Sequence, residues 1–558
     1  MRSSITFILA SLIAVFTLAQ DVDEIFKNEI EIYFSFKANS IEEIVDLGRM
    51  VSVDDVDDDL MVHAYANRKG FEAFLEAGKQ YTILQHPGTL HQPVMKADVD
   101  ISKMGSWDFY PTYDAYVDMM YQFEAAYPDI CNVYSIGTSN VGRDILVARI
   151  SDNVGLFEGE PEFFYTSTMH GDETAGYVLM LRLIDYLLTN YGNNPRITNM
   201  VDEIDIYINP LANPDGAYYG GNDNIYGARR GNVWGVDLNR NFPDPQDGPH
   251  PDGNDWQKET MLFMDFAEDH NFVMSCNLHG GEEVCNYPWD TWYYGTADDD
   301  WWVHVCREYA DTVHLYSPSY YMDGFDDGIT LGSDWYSISG GRQDYMNYFH
   351  QCREFTLELS STKLLPASQL PAHWEWNYRS LLNYMEQVLY GVKGKVTDSS
   401  DGSPLEAEVY ILNHEEDSSW VYSHLPKGNY HRPVHAGTYD FRFSKTGYLP
   451  KVIQNVLVVN NEATILDVEL VNITTVIEGE DDKMLTLYPN PVSGNLLKIK
   501  ADQDIQKLWL YSLGGELVQY SEPNENALFV DVSGIAPGTY ILRVEVDAKL
   551  IEQKLIRQ

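Results

Sequence analysis

The sequence predicts an α/β protein, a mixed twisted sheet with helices on both faces, preceded by a small α/β unit and followed by two β-sandwich domains. Strand-like apolar runs alternate with helical patterns between Tyr110 and about Tyr390. Beyond that point short strand-like runs recur between Gly, Pro, Asp and Asn turns, with no long helical pattern. The length of 558 residues, at about 150 residues per domain, accommodates roughly four units.

Residues 1–19 read as a cleavable export signal. Arg2 precedes an apolar run from Ile5 to Leu18, and Thr17 and Ala19 are the small residues before Gln20. The run is shorter than the ~20 residues needed to span a bilayer, and no later segment is long and apolar enough, so no membrane span is expected in the mature protein. Residues 20–88 alternate EIEIYFSF, SIEEIVDLGRM, LMVHAYA, KGFEAFLEAG and QYTIL, which is a small α/β unit of its own. Residues 89–105, close to Pro87, Gly88 and Pro93, suit a linker that a protease could reach.

In the central unit, residues 106–390, PEFFYTSTM, EIDIYIN, NFVMSCNL and REFTLEL read as strands. Between them ETAGYVLMLRLIDYLLTNY reads as a helix with Tyr177, Met180, Leu181, Ile184, Leu187 and Leu188 on one face. Residues 391–471, from VKGKVTDSSDGSPLEAEVYIL to AGTYDFRFSKTGYLPKV and beyond, read as a small β-sandwich. A break with the acidic run EGEDD leads to a second all-β unit, residues 484–558, built from LTLYPNPVSGNLLKI, LWLYSLGGELV and GTYILRVEV.

The apolar fraction of 44% and aromatic fraction of 13%, with 39 tyrosines and 12 tryptophans, describe an ordered globular chain. With 37 Lys plus Arg against 85 Asp plus Glu the formal charge is −48. Such a surface repels phosphate backbones, which excludes nucleic acid as a partner class. An acidic surface can draw in cationic peptides, and it equally serves solubility. Cys131, Cys276, Cys285, Cys306 and Cys352 contain no C-x-x-C spacing, so they support neither a cysteine zinc site nor a thioredoxin-type motif and read as structural.

The strand-like run 162–169 ends in His170-Gly171-Asp172-Glu173, and another strand ends in Asn277-Leu278-His279-Gly280-Gly281. Strand ends converge in wound sheets, and two histidines with one glutamate fit a catalytic zinc site that keeps a coordination position open. Taken alone, His170 and Glu173 could equally cap the helix that follows.

Their company extends the pattern: INPLANPDG from Ile208, Arg229-Arg230, DLNRNFPD from Asp237, NLHGGEEVCNYPWD from Asn277, GGRQDYMNY from Gly340 and FTLELS from Phe355. In order and spacing these motifs resemble the zinc carboxypeptidase family, in its N/E regulatory, carboxypeptidase D-like branch. The resemblance runs from about residue 106 to 470, since YPTYDAYVDMMYQF is similar to the family's opening helix and residues 391–471 to its transthyretin-like companion. It implies the zinc carboxypeptidase fold and one zinc per chain on His170, Glu173 and His279. It makes Glu358 the general base, which passes a proton from the attacking water to the leaving amine.

Arg240, beside Asn239, is then the clamp for a free terminal carboxylate. Arg230, nine residues before Asn239, is the oxyanion stabiliser, with Arg229 as the neighbouring alternative. Asp237 orients His170. The family's mobile tyrosine falls on Tyr348, with Tyr345 as the alternative. Asp290, eleven residues after His279, is the carboxylate that selects a C-terminal Lys or Arg.

The implied activity is therefore a secreted zinc metallocarboxypeptidase acting on peptide or protein C-termini, with Lys or Arg preferred. A cell-wall peptide amidase and an inactive extracellular binding module on the same scaffold are the alternatives; Arg240 and Asp290 discriminate against the first, the full set of chemical positions against the second. Residues 20–88 resemble the pro-regions of some zinc carboxypeptidases in size and alternation. The last unit, with TLYPNPVSGNLLKI, LGGEL, DVSGIAPGTYILRV and KLIRQ in order, resembles the C-terminal sorting domain of type IX secretion. That resemblance implies the type IX machinery as a partner and export through the periplasm to the cell surface or medium.

Overall fold

The computed structural model describes residues 22–57, 59–473, 485–547 and 549–558. The expected signal at 1–19 and the EGEDD run lie outside the described residues. Among the described residues no helix is long and apolar enough to cross a membrane.

The N-terminal unit runs β1 (Glu31–Lys37), α1 (Ile41–Gly48), β2 (Ser52–Val56), β3 (Met61–Asn67), α2 (Arg68–Glu76) and β4 (Tyr81–Leu84). Its antiparallel sheet has the order β2-β3-β1-β4, a split βαβ arrangement. Ser40 and Asn67 cap the two helices by accepting from Glu43 N and Gly70 N. Phe34, Phe36, Phe71 and Phe74 fill a core of its own. The segment after it is tethered to the central unit, since Met95–Lys96 pairs in parallel with Tyr110–Pro111.

The central unit holds β5 (Cys131–Thr138), β6 (Asp144–Ile150), β7 (Glu162–Ser167), β8 (Asp205–Asn209), β9 (Phe272–His279), β10 (Glu283–Tyr287), β11 (Ile329–Leu331) and β12 (Arg353–Leu359). They form one sheet in the order β11-β10-β12-β9-β7-β8-β6-β5. The inner strands β12, β9, β7 and β8 are parallel, and β6 and β10 join antiparallel.

Every residue of β7 is buried. Phe163 and Tyr165 pack with α3 (Tyr113–Ala126), α4 (Ala175–Asn190), α7 (Asp299–His314) and α9 (Leu370–Glu386). Phe164 packs on the other side with α6 (Lys258–Glu268) and α8 (Arg342–His350). Helices on both faces explain why β7 reads as a continuous apolar run. All six residues expected on one face of α4 are buried.

Residues 391–471 form two packed sheets around Val396, Val409, Phe441, Phe443 and Leu470. This sandwich is bolted to the central unit by a buried ionic knot. Asp298 accepts from Arg353 Nη2 at 2.7 Å and from Arg432 Nη1 and Nη2 at 2.9 Å, with His414 Nε2 also at 2.9 Å. The last unit is organised by one strand, Leu496–Ser512, whose register shifts between Lys500 and Ile505 so that its halves pair with different neighbours. All five cysteines are buried free thiols.

Candidate active site

The site lies at the C-terminal ends of the parallel strands, where His170 and Glu173 follow β7 and His279 closes β9. Ladder register sets Glu358 of β12 opposite His279. One cavity is lined by His170, Glu173, His279, Arg230, Asn239, Arg240, Asp290, Tyr336, Glu358, Lys363 and, from the N-terminal unit, Asp54.

His170, Glu173 and His279 are buried, and their ligand atoms lie within 4.8 Å of one another. Nδ1 of His170 is 2.9 Å from Glu173 Oε1, and Nδ1 of His279 is 2.9 Å from Glu173 Oε2. The far nitrogens have separate partners, Asp237 Oδ1 at 2.9 Å from His170 Nε2 and the Asn277 amide at 2.8 Å from His279 Nε2. Each imidazole is thus oriented by an outer group while Nδ1 faces the common point, the arrangement of outer-shell support that zinc histidines need. Two imidazoles and one carboxylate converging this way fit a zinc ion.

Burial opposes the charge of Glu173, yet His170, Lys363 and His279 hold its carboxyl well below the usual range. Asp237 is likewise held low against burial by Arg230 and His170. Arg230 donates from Nε to Asp237 at 3.0 Å and from Nη1 to Glu173 at 3.1 Å. Glu358 behaves in the opposite way. Burial, and then the neighbouring Glu173, push its carboxyl well above the ordinary value, and its Oε2 is enclosed with no hydrogen-bond partner.

Arg240 sits on a single 3₁₀ turn, Leu238–Arg240, capped by Asp237, which accepts from Asn239 N. Its Nη1 donates to Asn239 O at 2.8 Å and its Nη2 to Val53 O of the N-terminal unit at 3.4 Å. Asn239 in turn accepts from Arg342 N at 2.9 Å. Asp290 is buried, with Asn286 Nδ2 donating to its Oδ1 at 3.2 Å. Burial pushes its carboxyl up to about 6.

The tyrosine of this cavity is Tyr336, and the expectation of Tyr348 or Tyr345 is corrected. Both expected residues lie on α8, which turns them away. Tyr348 packs against Trp292 and Phe349, and Tyr345 against Phe242 with its hydroxyl 2.8 Å from His350 Nε2. Tyr336 precedes the Gly340-Gly341 pair, and its hydroxyl donates to Val53 O at 3.4 Å. Counting back from the glycines, rather than forward into α8, is the signal that finds it.

Arg229, the alternative to Arg230, is not among the residues lining the cavity. It pairs with Glu29 of the N-terminal unit. Lys363 is a member that sequence reasoning missed. Its Nζ donates to Glu173 Oε1 at 2.9 Å and to Gly280 O at 3.1 Å, and pairs with Asp54 at 2.7 Å. Burial opposes its charge, but Asp54 and Glu173 hold the ammonium well above the usual lysine value.

The N-terminal unit covers the opening. Glu31 accepts from Arg230 N at 2.6 Å and Gly231 N at 2.8 Å, and Tyr65 donates to Asp172 at 2.9 Å.

The zinc carboxypeptidase profile matches residues 116–380, a carboxypeptidase regulatory-like domain residues 391–471, and a secretion system C-terminal sorting domain residues 486–558. The human carboxypeptidase N catalytic chain is 35% identical over 384 residues, 61% of this chain and 81% of that one. The chain belongs to the zinc carboxypeptidase family. Rat carboxypeptidase D is 36% identical over 416 residues, 71% of this chain; the match spans only 29% of that longer protein. A solved carboxypeptidase A from Helicoverpa armigera aligns with a TM-score of 0.49 and 19% identity over 64% of this chain and 97% of that one. This member of the zinc carboxypeptidases thus carries the regulatory-like sandwich and a sorting domain behind the catalytic unit.

Proposed function

We propose that the chain is an exported metallocarboxypeptidase that removes single residues from peptide C-termini and prefers Lys or Arg. The observation that carries this reading is the single cavity in which the three metal donors, the unpartnered Glu358, Arg240 and the buried Asp290 meet. His170, Glu173 and His279 would hold the zinc ion, which would supply Lewis acidity at the scissile carbonyl.

Arg240 holds the terminal carboxylate through a planar guanidinium, which makes a free C-terminus a requirement. Arg230 faces the oxygen on which charge develops. Glu358 takes the proton of the attacking water and returns it to the leaving amine, a task suited to a carboxylate whose proton affinity is raised. Asp290 faces the side chain of the departing residue; only a cation compensates its desolvation. Asp237 orients His170, and Tyr336 closes the wall beside Arg240.

In this arrangement Val53 and Asp54 occupy Arg240, Lys363 and Arg230, so the N-terminal unit acts as a lid that moves before substrate enters. The sorting domain supports passage through type IX secretion to the cell surface or medium. Release of C-terminal Arg, Lys, Phe and Asp from matched peptides, with and without a chelator and before and after limited proteolysis near residues 89–105, tests the reading. Faster chelator-sensitive release of Arg and Lys after cleavage is expected. No chelator-sensitive release from any peptide would sink the enzyme, and no gain on proteolysis would sink the lid.

A further inference from the structure

The lid carries a chemical detail beyond blocking. Strand β2 shifts register between Val53 and Asp55, leaving Asp54 as the extra residue of a bulge. A bulge re-aims the side chain it carries, and this one turns the Asp54 carboxylate onto catalytic-unit cations. Asp54 Oδ1 lies 2.7 Å from Lys363 Nζ and 3.6 Å from Arg230 Nη1, while Oδ2 accepts from Tyr33 at 3.1 Å. The Asp54, Lys363 and Arg230 side chains are enclosed or nearly so, and Tyr33 is half-buried.

Val53, the adjacent residue, offers its carbonyl to Arg240. The segment therefore lies across the site as a peptide would. One residue's carbonyl oxygen meets the guanidinium proposed to hold a terminal carboxylate, and the neighbouring residue's side-chain carboxylate meets the Lys363–Arg230 pair. In a substrate the C-terminal residue takes the first place and the penultimate residue the second, with the chain running the other way.

With Asp54 gone, Lys363 retains Glu173 and Gly280 O, and Arg230 retains Asp237 and Glu173. Glu173 is the carboxylate the two cations share, and it is also a metal donor. Glu173 and Asp237 then face the two cations but are themselves engaged by His279 and His170, and an anion entering a partly desolvated cation pair forms strong charge-assisted hydrogen bonds.

Resting on the carboxypeptidase reading above, we infer that Lys363 and Arg230 form an anion subsite that takes the side-chain carboxylate of an Asp or Glu at the penultimate position of the substrate. Asp54 is its built-in occupant. The substrate class is then peptides ending in an acidic residue followed by a basic one.

The test uses the zinc-loaded full-length chain carrying Asp54→Ala, which vacates the subsite, and peptides identical except for endings Glu-Arg and Ala-Arg. The readout is the ratio of the two kcat/KM values, whatever the absolute rates. A preference of about tenfold for Glu-Arg is expected. It collapses to about one in Asp54→Ala combined with Lys363→Met, and persists with Lys363→Arg, which keeps the cation. Zinc content measured on each protein separates loss of the subsite from loss of the metal.

A ratio at or below one in the Asp54→Ala chain, or a ratio untouched by Lys363→Met, overturns the inference. If neither peptide is cleaved, the carboxypeptidase reading fails first and calorimetric binding of the two peptides decides the subsite. Tighter binding of Glu-Arg that depends on Lys363 sustains it, and equal binding overturns it.

Discussion

Replacing Asp290 by Ala separates the proposed selectivity from the proposed chemistry. Asp290 is 4% exposed, and among the described residues the one side-chain donor to its carboxylate is the neutral Asn286 amide at 3.2 Å. Gly332 packs so closely that a Cβ there would stand 1.9 Å from Asp290 Oδ1 and 2.8 Å from Asn286 Oδ1, and Asn286 Oδ1 is itself buried without a partner. The pocket thus ends in an uncompensated carboxylate and a free carbonyl oxygen, with room kept open by glycine. Truncating one member of a buried, hydrogen-bonded charge pair costs about 2–5 kcal/mol. A central figure of about 3 kcal/mol corresponds to roughly a hundredfold loss.

The expected outcome of Asp290→Ala is therefore a fall of about 10²-fold in kcat/KM for peptides ending in Arg, with little change for those ending in Phe. The pH dependence has a defined sign. Burial raises the Asp290 carboxyl to about 6, so it is charged at pH 8 and becomes protonated as pH falls through 6. The Arg-to-Phe ratio of the wild-type chain should fall over that window, and in Asp290→Ala it should be flat. The same shift makes the charged pocket a cost to folding above pH 6 that protonation relieves in acid. An Arg-to-Phe ratio unchanged by the substitution would refute the assignment of Asp290.

Glu358→Gln keeps the shape of the side chain but removes the base. kcat should fall about 10²–10⁴-fold while zinc content, measured by metal analysis, stays at the wild-type level. Asp298→Ala strips the carboxylate from buried Arg353 and leaves Arg432 with Glu415. Chemical denaturation should report a loss of about 3–5 kcal/mol, the cost of leaving buried charge unpaired, and a midpoint unchanged from wild type would show the knot to be energetically idle.

What the sequence made legible, and what it hid, follows from the range of the interactions. The H-x-x-E at the end of β7 and His279 at the end of β9 could be paired because parallel neighbouring strands bring their ends together, and register places Glu358 beside His279. Glu358 alternates with apolar Leu357 and Leu359, a spacing that by itself favours a solvent-facing strand residue. The neighbours that overturn that reading, His279, Glu173, Arg230 and Lys363, lie outside its own strand. Tyr348 was misplaced because a helix begins at Arg342 and rotates each later tyrosine away from the cavity. Lys363 and Asp54 were missed because their pairing joins distant segments of two units, and neither sits in a motif. The segment expected to be a loose linker is held by a parallel strand pair at Met95–Lys96, two residues being too short a run to read. In the last unit, two runs read as separate strands are halves of one, Leu496–Ser512.

A formal charge of −48 makes the concentration of Arg229, Arg230, Arg240 and Lys363 around one opening physically significant. An acidic surface repels the terminal carboxylate every such substrate carries, so the binding site has to reverse the local field at short range. Arg240 and the Lys363–Arg230 pair do this inside the cavity, while Asp290 at its base restores a negative end. In the proposed reading the cavity is thus polarised along its length, cationic where a backbone carboxylate would be held and anionic where the last side chain would end. The N-terminal unit answers the same pattern in reverse. It sets Glu29 against Arg229, Glu31 against the Arg230 and Gly231 amides, and Asp54 against Lys363. As the proposed lid, a unit that brings these carboxylates and the Val53 carbonyl to the cationic end neutralises the attraction that draws a C-terminus in. Blocking and electrostatic silencing are then the work of the same residues.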